Sequence, residues 1–146
     1  MKIILNNTDI EFRTLRAWKS YTMTWCDANS STGNVSAVET QGQYSRVGVG
    51  EFISTENDGK SVSIALSALT EMYVYVYDTN KTFLGYGKLG TGDFPATTIF
   101  ADIISAIPDY KIGSTAQNRD AVIAAAKYYK VVFGNNISLS DQFKVR

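Results

Sequence analysis

Residues 72–77, MYVYVY, constrain the fold more than any other stretch of this chain. Met72, Val74 and Val76 alternate with Tyr73, Tyr75 and Tyr77, the period-two spacing of a strand whose successive side chains point to opposite faces. Both faces are largely apolar, so the strand is expected at the centre of a sheet, with its tyrosine hydroxyls reaching the rim. Asp78-Thr79-Asn80-Lys81 comes next. Such residues bond to their own backbone and tolerate left-handed conformation, which predicts a hairpin turn with Thr82–Tyr86 as the returning strand.

Residues 127–133, KYYKVVF, make a second strong strand, followed by a turn at Gly134-Asn135-Asn136 and a short strand from Ile137. Weaker strand patterns fall at Lys2–Leu5, Ile10–Leu15, Tyr44–Val49 and Val62–Leu66. Strands separated by turns, with no βαβ alternation, predict a mainly β fold, a sandwich or a barrel, and the antiparallel β-sandwich is the fold class expected. One segment departs from this. Over 94–107, Ile99, Ile103 and Ile107 share a helical face with Phe100 and Ile104; Asp93 suits the N-cap, Pro95 the first turn, and Pro108 stops the run. A short amphipathic helix is expected there, as a lid on one end of the sandwich or as a partner-binding helix. Ala121–Ala126 has the composition of a further helical turn.

At 146 residues the chain fits one domain on the prior of roughly 150 residues each. Such a chain buries about 68–70% of its unfolded surface, so it needs no staples. Fourteen basic and fourteen acidic residues cancel. No field steers nucleic acid or anionic membrane, and partners must be recognised by shape and hydrogen bonding. The apolar run at the start is too short for a signal peptide and no stretch is long enough to span a membrane. Cys26 has no second cysteine to pair with, so synthesis in a cytoplasm is expected.

The chain contains no histidine, which removes the commonest general base and metal ligand together with Ser–His and Cys–His nucleophile pairs. The acidic residues are scattered. No catalytic, cofactor or metal residues are assigned, and no enzyme activity is expected. Asp78-Thr79-Asn80 and Asn57-Asp58-Gly59 carry oxygens that Ca²⁺ could use, but hairpin chemistry accounts for both. Gly85, Gly87, Gly90 and Gly92 lack the Lys-Ser/Thr of a phosphate loop, and Gly85 and Gly87 mark a bulge or close backbone approach within a strand. Trp18 and Trp25 are candidate sugar platforms, with core or interface packing the plainer role. Cys26 reads as a small buried hydrophobe.

Several segments follow one another in a distinctive order: Trp25; a Ser-Ser-Thr-Gly-Asn turn at 30–34; Arg46 in a strand ending near Phe52-Ile53; the strand Val62–Leu66; MYVYVYDTNKTFLGY; and AKYYKVVFGNNISLSDQF at 126–143. Over roughly 25–143 this resembles a β-sandwich module found near the C-termini of many phage and prophage tail and fibre proteins. The resemblance implies jelly-roll-like packing and a sugar-binding-like architecture. It implies no catalytic residues and no cofactor. Two departures stand out: residues 91–125 form a longer insertion than the family carries, and about 24 residues precede the module. A copy with its own N-terminal segment resembles a head decoration or short fibre more than the tip of a long tail protein.

The expected organisation is an N-terminal segment over 1–24 and a sandwich domain over 25–146. The segment, with Arg13, Arg16 and Lys19 interleaved in its strand pattern, has two readings: a hairpin closing the sandwich edge, or an arm that docks to a capsid or neighbouring subunit by strand addition. The expected function is that of a virion structural protein, oligomeric and partnered by other virion proteins. The alternative is a carbohydrate-binding module for host surface glycans; a small glycosidase is a distant third. A sugar binder should carry an exposed aromatic shelf in a groove.

Overall fold

A computed structural model of the chain describes residues 17–56, 61–90, 92, 99–134 and 136–146, together with the backbone of Lys2–Leu5 and Thr8–Glu11. The expected antiparallel β-sandwich forms, mainly from strands and with two short helices. In chain order the strands are β1 (Lys2–Leu5), β2 (Thr8–Glu11), β3 (Lys19–Tyr21), β4 (Thr24–Ala28), β5 (Val35–Val38), β6 (Arg46–Ser54), β7 (Val62–Ala65), β8 (Glu71–Tyr77) and β9 (Phe83–Gly90). After helix α1 (Phe100–Ala106) come β10 (Lys111–Ile112), β11 (Thr115–Ala116), helix α2 (Arg119–Ala125), β12 (Tyr128–Phe133) and β13 (Gln142–Val145).

The larger sheet has eight strands in the order β11-β10-β9-β8-β12-β6-β4-β5, and the smaller has three, β3-β13-β7. The MYVYVY strand is interior, held by β9 on one side and β12 on the other. Its hairpin with β9 forms through the predicted turn, in which the Asp78 carboxylate accepts from the amides of Asn80 and Thr82 at 2.8 and 2.9 Å. The returning strand runs on to Gly90, past the expected end at Tyr86. Gly85, at φ +149°, sits at the register shift opposite Val76, and a Cβ on Gly87 would lie 2.8 Å from the Asp109 carbonyl oxygen. These are the bulge and the close approach that two glycines inside a strand imply.

The inner face of the large sheet carries Val47, Val49, Ile53, Met72, Val74, Val76, Tyr129, Val131 and Phe133, all buried. It packs on Tyr21, Val62, Phe143 and Val145 of the small sheet and on Phe100, Ile103, Ile104 and Val122 of the helices. The Phe100 and Tyr129 rings stack at 3.7 Å. Helix α1 is therefore a lid over one end of the core. Its last carbonyls are satisfied from outside the helix: the Tyr110 hydroxyl donates to Ile104 O at 2.8 Å, and Arg119 donates to the carbonyls of Ser105 and Ile107.

Three expectations are corrected and one is met. Helix α1 begins at Phe100, because Ile99 is extended and bridges to Ser61; no side chain caps it, and Ile99 is 43% exposed instead of facing the core. Asp93 and Pro95 lie outside the described residues. The helical turn expected at Ala121–Ala126 forms as α2, capped by the Asn118 side chain on the Ala121 amide, and the insertion also holds the β10–β11 hairpin that extends the sheet. No strand starts at Ile137. The Asp141 carboxylate gathers the Ser67 amide, the Ser67 hydroxyl and the Ser138 amide, folding 138–141 into a turn; Ile137 plugs the core and the strand follows at Gln142. The sandwich also begins before Trp25: Lys19–Tyr21 pairs with β13, and Thr24 pairs with Gly48.

Of the N-terminal segment, β1 and β2 pair with each other through Ile3↔Ile10 and join neither sheet. The sandwich edge is closed by β3 instead. Phe12 to Arg16, including Arg13 and Arg16, lie outside the described residues.

Candidate ligand groove on the outer sheet face

Alternation that buries Met72, Val74 and Val76 inward sends Tyr73, Tyr75 and Tyr77 to the outer face of the same strand. Pairing places Tyr86 opposite Tyr75, Phe83 opposite Tyr77, Lys130 opposite Tyr75 from the other side, and Val132 opposite Tyr73. The outer face is thus an aromatic layer contributed by separate strands. The Tyr75 ring stacks on Phe83 at 5.9 Å and on Tyr86 at 5.5 Å. Phe52 meets Tyr77 edge-on at 4.9 Å.

Half of this layer is roofed. The turn at 29–34 closes through the Asn29 amide on Asn34 O and the Gly33 amide on Asn29 O, both at 2.8 Å. The Tyr77 hydroxyl donates to Gly33 O at 2.5 Å, and the Phe83 ring occupies the space where a side chain at residue 33 would project. Gly33 also has φ +74°, so glycine is required there twice over. Beneath this roof the Lys130 ammonium donates to Val35 O at 2.9 Å and lies 4.1 Å from the Phe52 ring centre. Burial lowers its pKa and raises that of the neighbouring Cys26 thiol.

The other half is open. A groove of about 430 Å³ runs across the strands, floored by Tyr73, Tyr75, Tyr86 and Val132 and walled by Arg46, Ser30 and the Gln43–Ser45 loop. The Arg46 guanidinium lies 5.0 Å from the Tyr73 ring centre, and the Tyr73 hydroxyl donates to Glu71 at 3.0 Å. Burial, with Tyr86 beside it, pushes the Tyr75 phenol up to about 12, so it remains protonated across the physiological range. Ser45 ties the loop base: its hydroxyl donates to Asp27 at 2.8 Å and accepts from the Gly42 amide at 2.9 Å. A second hollow of about 400 Å³, lined by Asp27, Asn29, Asn34 and Gly42, adjoins the first. Ala28, Gln43 and Tyr44 line both, and Tyr44 is 82% exposed.

Chemically, these two hollows offer aromatic faces, one guanidinium, carboxamides and hydroxyls. Asp27 is the only carboxylate among the described residues that line them. No group of three His, Cys, Asp or Glu residues is gathered for a metal among the described residues.

The residues singled out from sequence fall elsewhere. Asp78 is spent on its own turn. Asn57-Asp58-Gly59 lies outside the described residues. Trp18, 39% exposed, is covered on one face by the Arg146 guanidinium at 4.4 Å, and Trp25 packs against the inner core. Cys26 is fully buried. The sequence assigns no site to the groove residues Tyr44, Tyr86 and Asp27; the outward tyrosine row of MYVYVY is the one signal that could have pointed to the groove floor. Comparison of the chain with protein-family models, characterised proteins and solved structures finds no match.

Proposed function

We propose that this chain is a structural protein of a bacteriophage virion, a head decoration or fibre component that works by assembly and surface display in several copies, without catalysis. One observation carries the reading: among the described residues, the β1–β2 hairpin is strand-paired with neither sheet of its own domain. An isolated two-stranded hairpin is marginal in water, and the edges of such a hairpin suit extension of a neighbour's sheet. The order of segments that resembles the phage module also supports it, since Trp25, Arg46, the 72–86 hairpin and 128–133 all lie in one sheet. Near-zero net charge removes the long-range repulsion that keeps subunits apart. In this reading the protein is made in the host cytoplasm and resides in the virion.

The test is deletion of residues 1–16, which leaves β3 in place. The shortened chain should fold, and should lose self-association in sedimentation and attachment to virions in a binding assay. Undiminished assembly would move the interface elsewhere and remove the observation on which the reading rests.

A further inference from the structure

We infer that the cleft between α1 and α2 receives the β1–β2 hairpin of a second copy of this chain. This rests on the assembly reading and names the surface through which it acts. The cleft encloses about 550 Å³ between the first turn of α1 and the end of α2, and its lining is mainly apolar, with Ile99, Ile104, Ile123 and Ala126. Ile99 is 43% exposed there, although isoleucine is among the residues most often buried. The hairpin is the counterpart of this cleft. Its register sets Ile3 opposite Ile10 and Leu5 opposite Thr8, alternating with Lys2 opposite Glu11 and Ile4 opposite Asp9. Alternate pairs of a two-stranded ribbon belong to opposite faces, so one face is composed of Ile3, Leu5, Thr8 and Ile10 and the other holds Lys2, Asp9 and Glu11. A ribbon with one apolar face is marginal until that face is covered.

Chain connectivity brings the two within reach of each other. The N-terminal segment joins the sandwich at β3, where Lys19 pairs with Val145 and Val145 pairs with Val62. Just beyond, the Ser61 amide donates to Arg146 O at 2.9 Å and the Arg146 amide donates to Ser61 O at 3.0 Å. The Arg146 guanidinium covers the Trp18 ring. Trp18 thus stands beside Arg146, and Arg146 beside Ser61, at one end of the small sheet; Ser61 also lines the cleft. The segment therefore leaves the sandwich about 10 Å from the cleft, two strand spacings away. Residues 12–16 link Glu11 to Ala17, a reach of about 20 Å at full extension. Among the described residues of a single chain, the hairpin is strand-paired with neither sheet and the cleft stands open. The occupant assigned to it is the hairpin of a neighbouring copy within that reach. Each copy then gives a hairpin and receives one, and such an exchange closes as a dimer or a ring.

Cysteine cross-linking of the full chain tests this. One sample carries Ile10→Cys and a second, differently tagged, carries Ile99→Cys; Cys26 is fully buried and takes no part. Mixed under mild oxidation, the two should give a disulfide-linked heterodimer. Ile10→Cys mixed with Leu69→Cys, at an exposed site outside the cleft, should give none. Independently, Ala101→Lys puts a charge into the cleft from an exposed helical position, so the chain still folds, which near-UV circular dichroism verifies. It should raise the dissociation constant of self-association in sedimentation by about tenfold or more, and Leu69→Lys should leave that constant unchanged. A disulfide that forms only within a chain carrying both Ile10→Cys and Ile99→Cys would give the cleft to the chain's own hairpin and overturn the exchange. No disulfide in either arrangement, or self-association undiminished in Ala101→Lys, would overturn the cleft as the receiving surface. If deletion of residues 1–16 abolishes self-association while Ala101→Lys preserves it, the assembly reading stands and this inference falls; if neither change weakens self-association, both fall.

Discussion

Val74 and Lys130 show how differently two sites in neighbouring strands treat charge. Val74 points into the inner core, fully buried, between β9 and β12. A carboxylate there would have no partner, so Val74→Asp should cost more than about 3 kcal/mol in a urea melt. A loss below about 1 kcal/mol would mean that the inward and outward faces of β8 are exchanged. Lys130, one strand away and on the opposite face, is also buried, yet its ammonium reaches a carbonyl and an aromatic ring. A charge with a hydrogen bond and a cation–π contact can be kept where an unpaired one cannot.

Among the elements, β3 and the β1–β2 hairpin divide the N-terminal segment into parts with different work. Deleting residues 1–21 removes an edge strand and takes buried Tyr21 from its contact with Phe143. That chain should lose about 3–5 kcal/mol, the usual cost of truncating a large core aromatic, whereas deletion of 1–16 should move the melt by less than about 1 kcal/mol. Equal losses would mean that the hairpin packs on the sandwich. The sequence separates these parts poorly because Lys19–Tyr21 is three residues long, too short to display a period. Strands β4 and β5 were hidden for a related reason: TWCDA and VSAV alternate weakly, and pairing with β6, not intrinsic pattern, makes them strands. The long alternating β8 and the Asx-rich turn needed no such help and were legible. So was the aromatic row of the groove floor. The groove itself was not, because Arg46, Val132, Tyr73 and Tyr86 come from four strands whose adjacency exists only after folding.

Taken whole, the molecule should be sensitive to alkali. Burial pushes the Tyr75 phenol to about 12 and raises those of Tyr77 and Tyr110 further. Unfolded phenols ionise near pH 10, so above that pH the folded chain holds more protons than the unfolded one. The tyrosine contribution is therefore complete below about pH 10 and is lost as pH rises through about 12. Lys130 opposes this: burial lowers its pKa from the ordinary 10.5, the unfolded chain binds the extra proton, and stability rises with pH just below that value. Lys130→Met should remove the opposing rise and make the net fall steeper in urea midpoints taken from pH 8 to 11.5. A slope that is unchanged by the substitution would show that Lys130 titrates as it does in water. Finally, the wall of the groove and the sheet beneath it are one unit in time as well as in space. Because Tyr77 grips Gly33 and Gly113 grips Ser30, the 29–34 turn cannot open unless the sheet's outer layer loosens with it. Its Gly33 amide should therefore exchange with solvent deuterium on the slow clock of β8 and β9, not on the fast one of a surface loop.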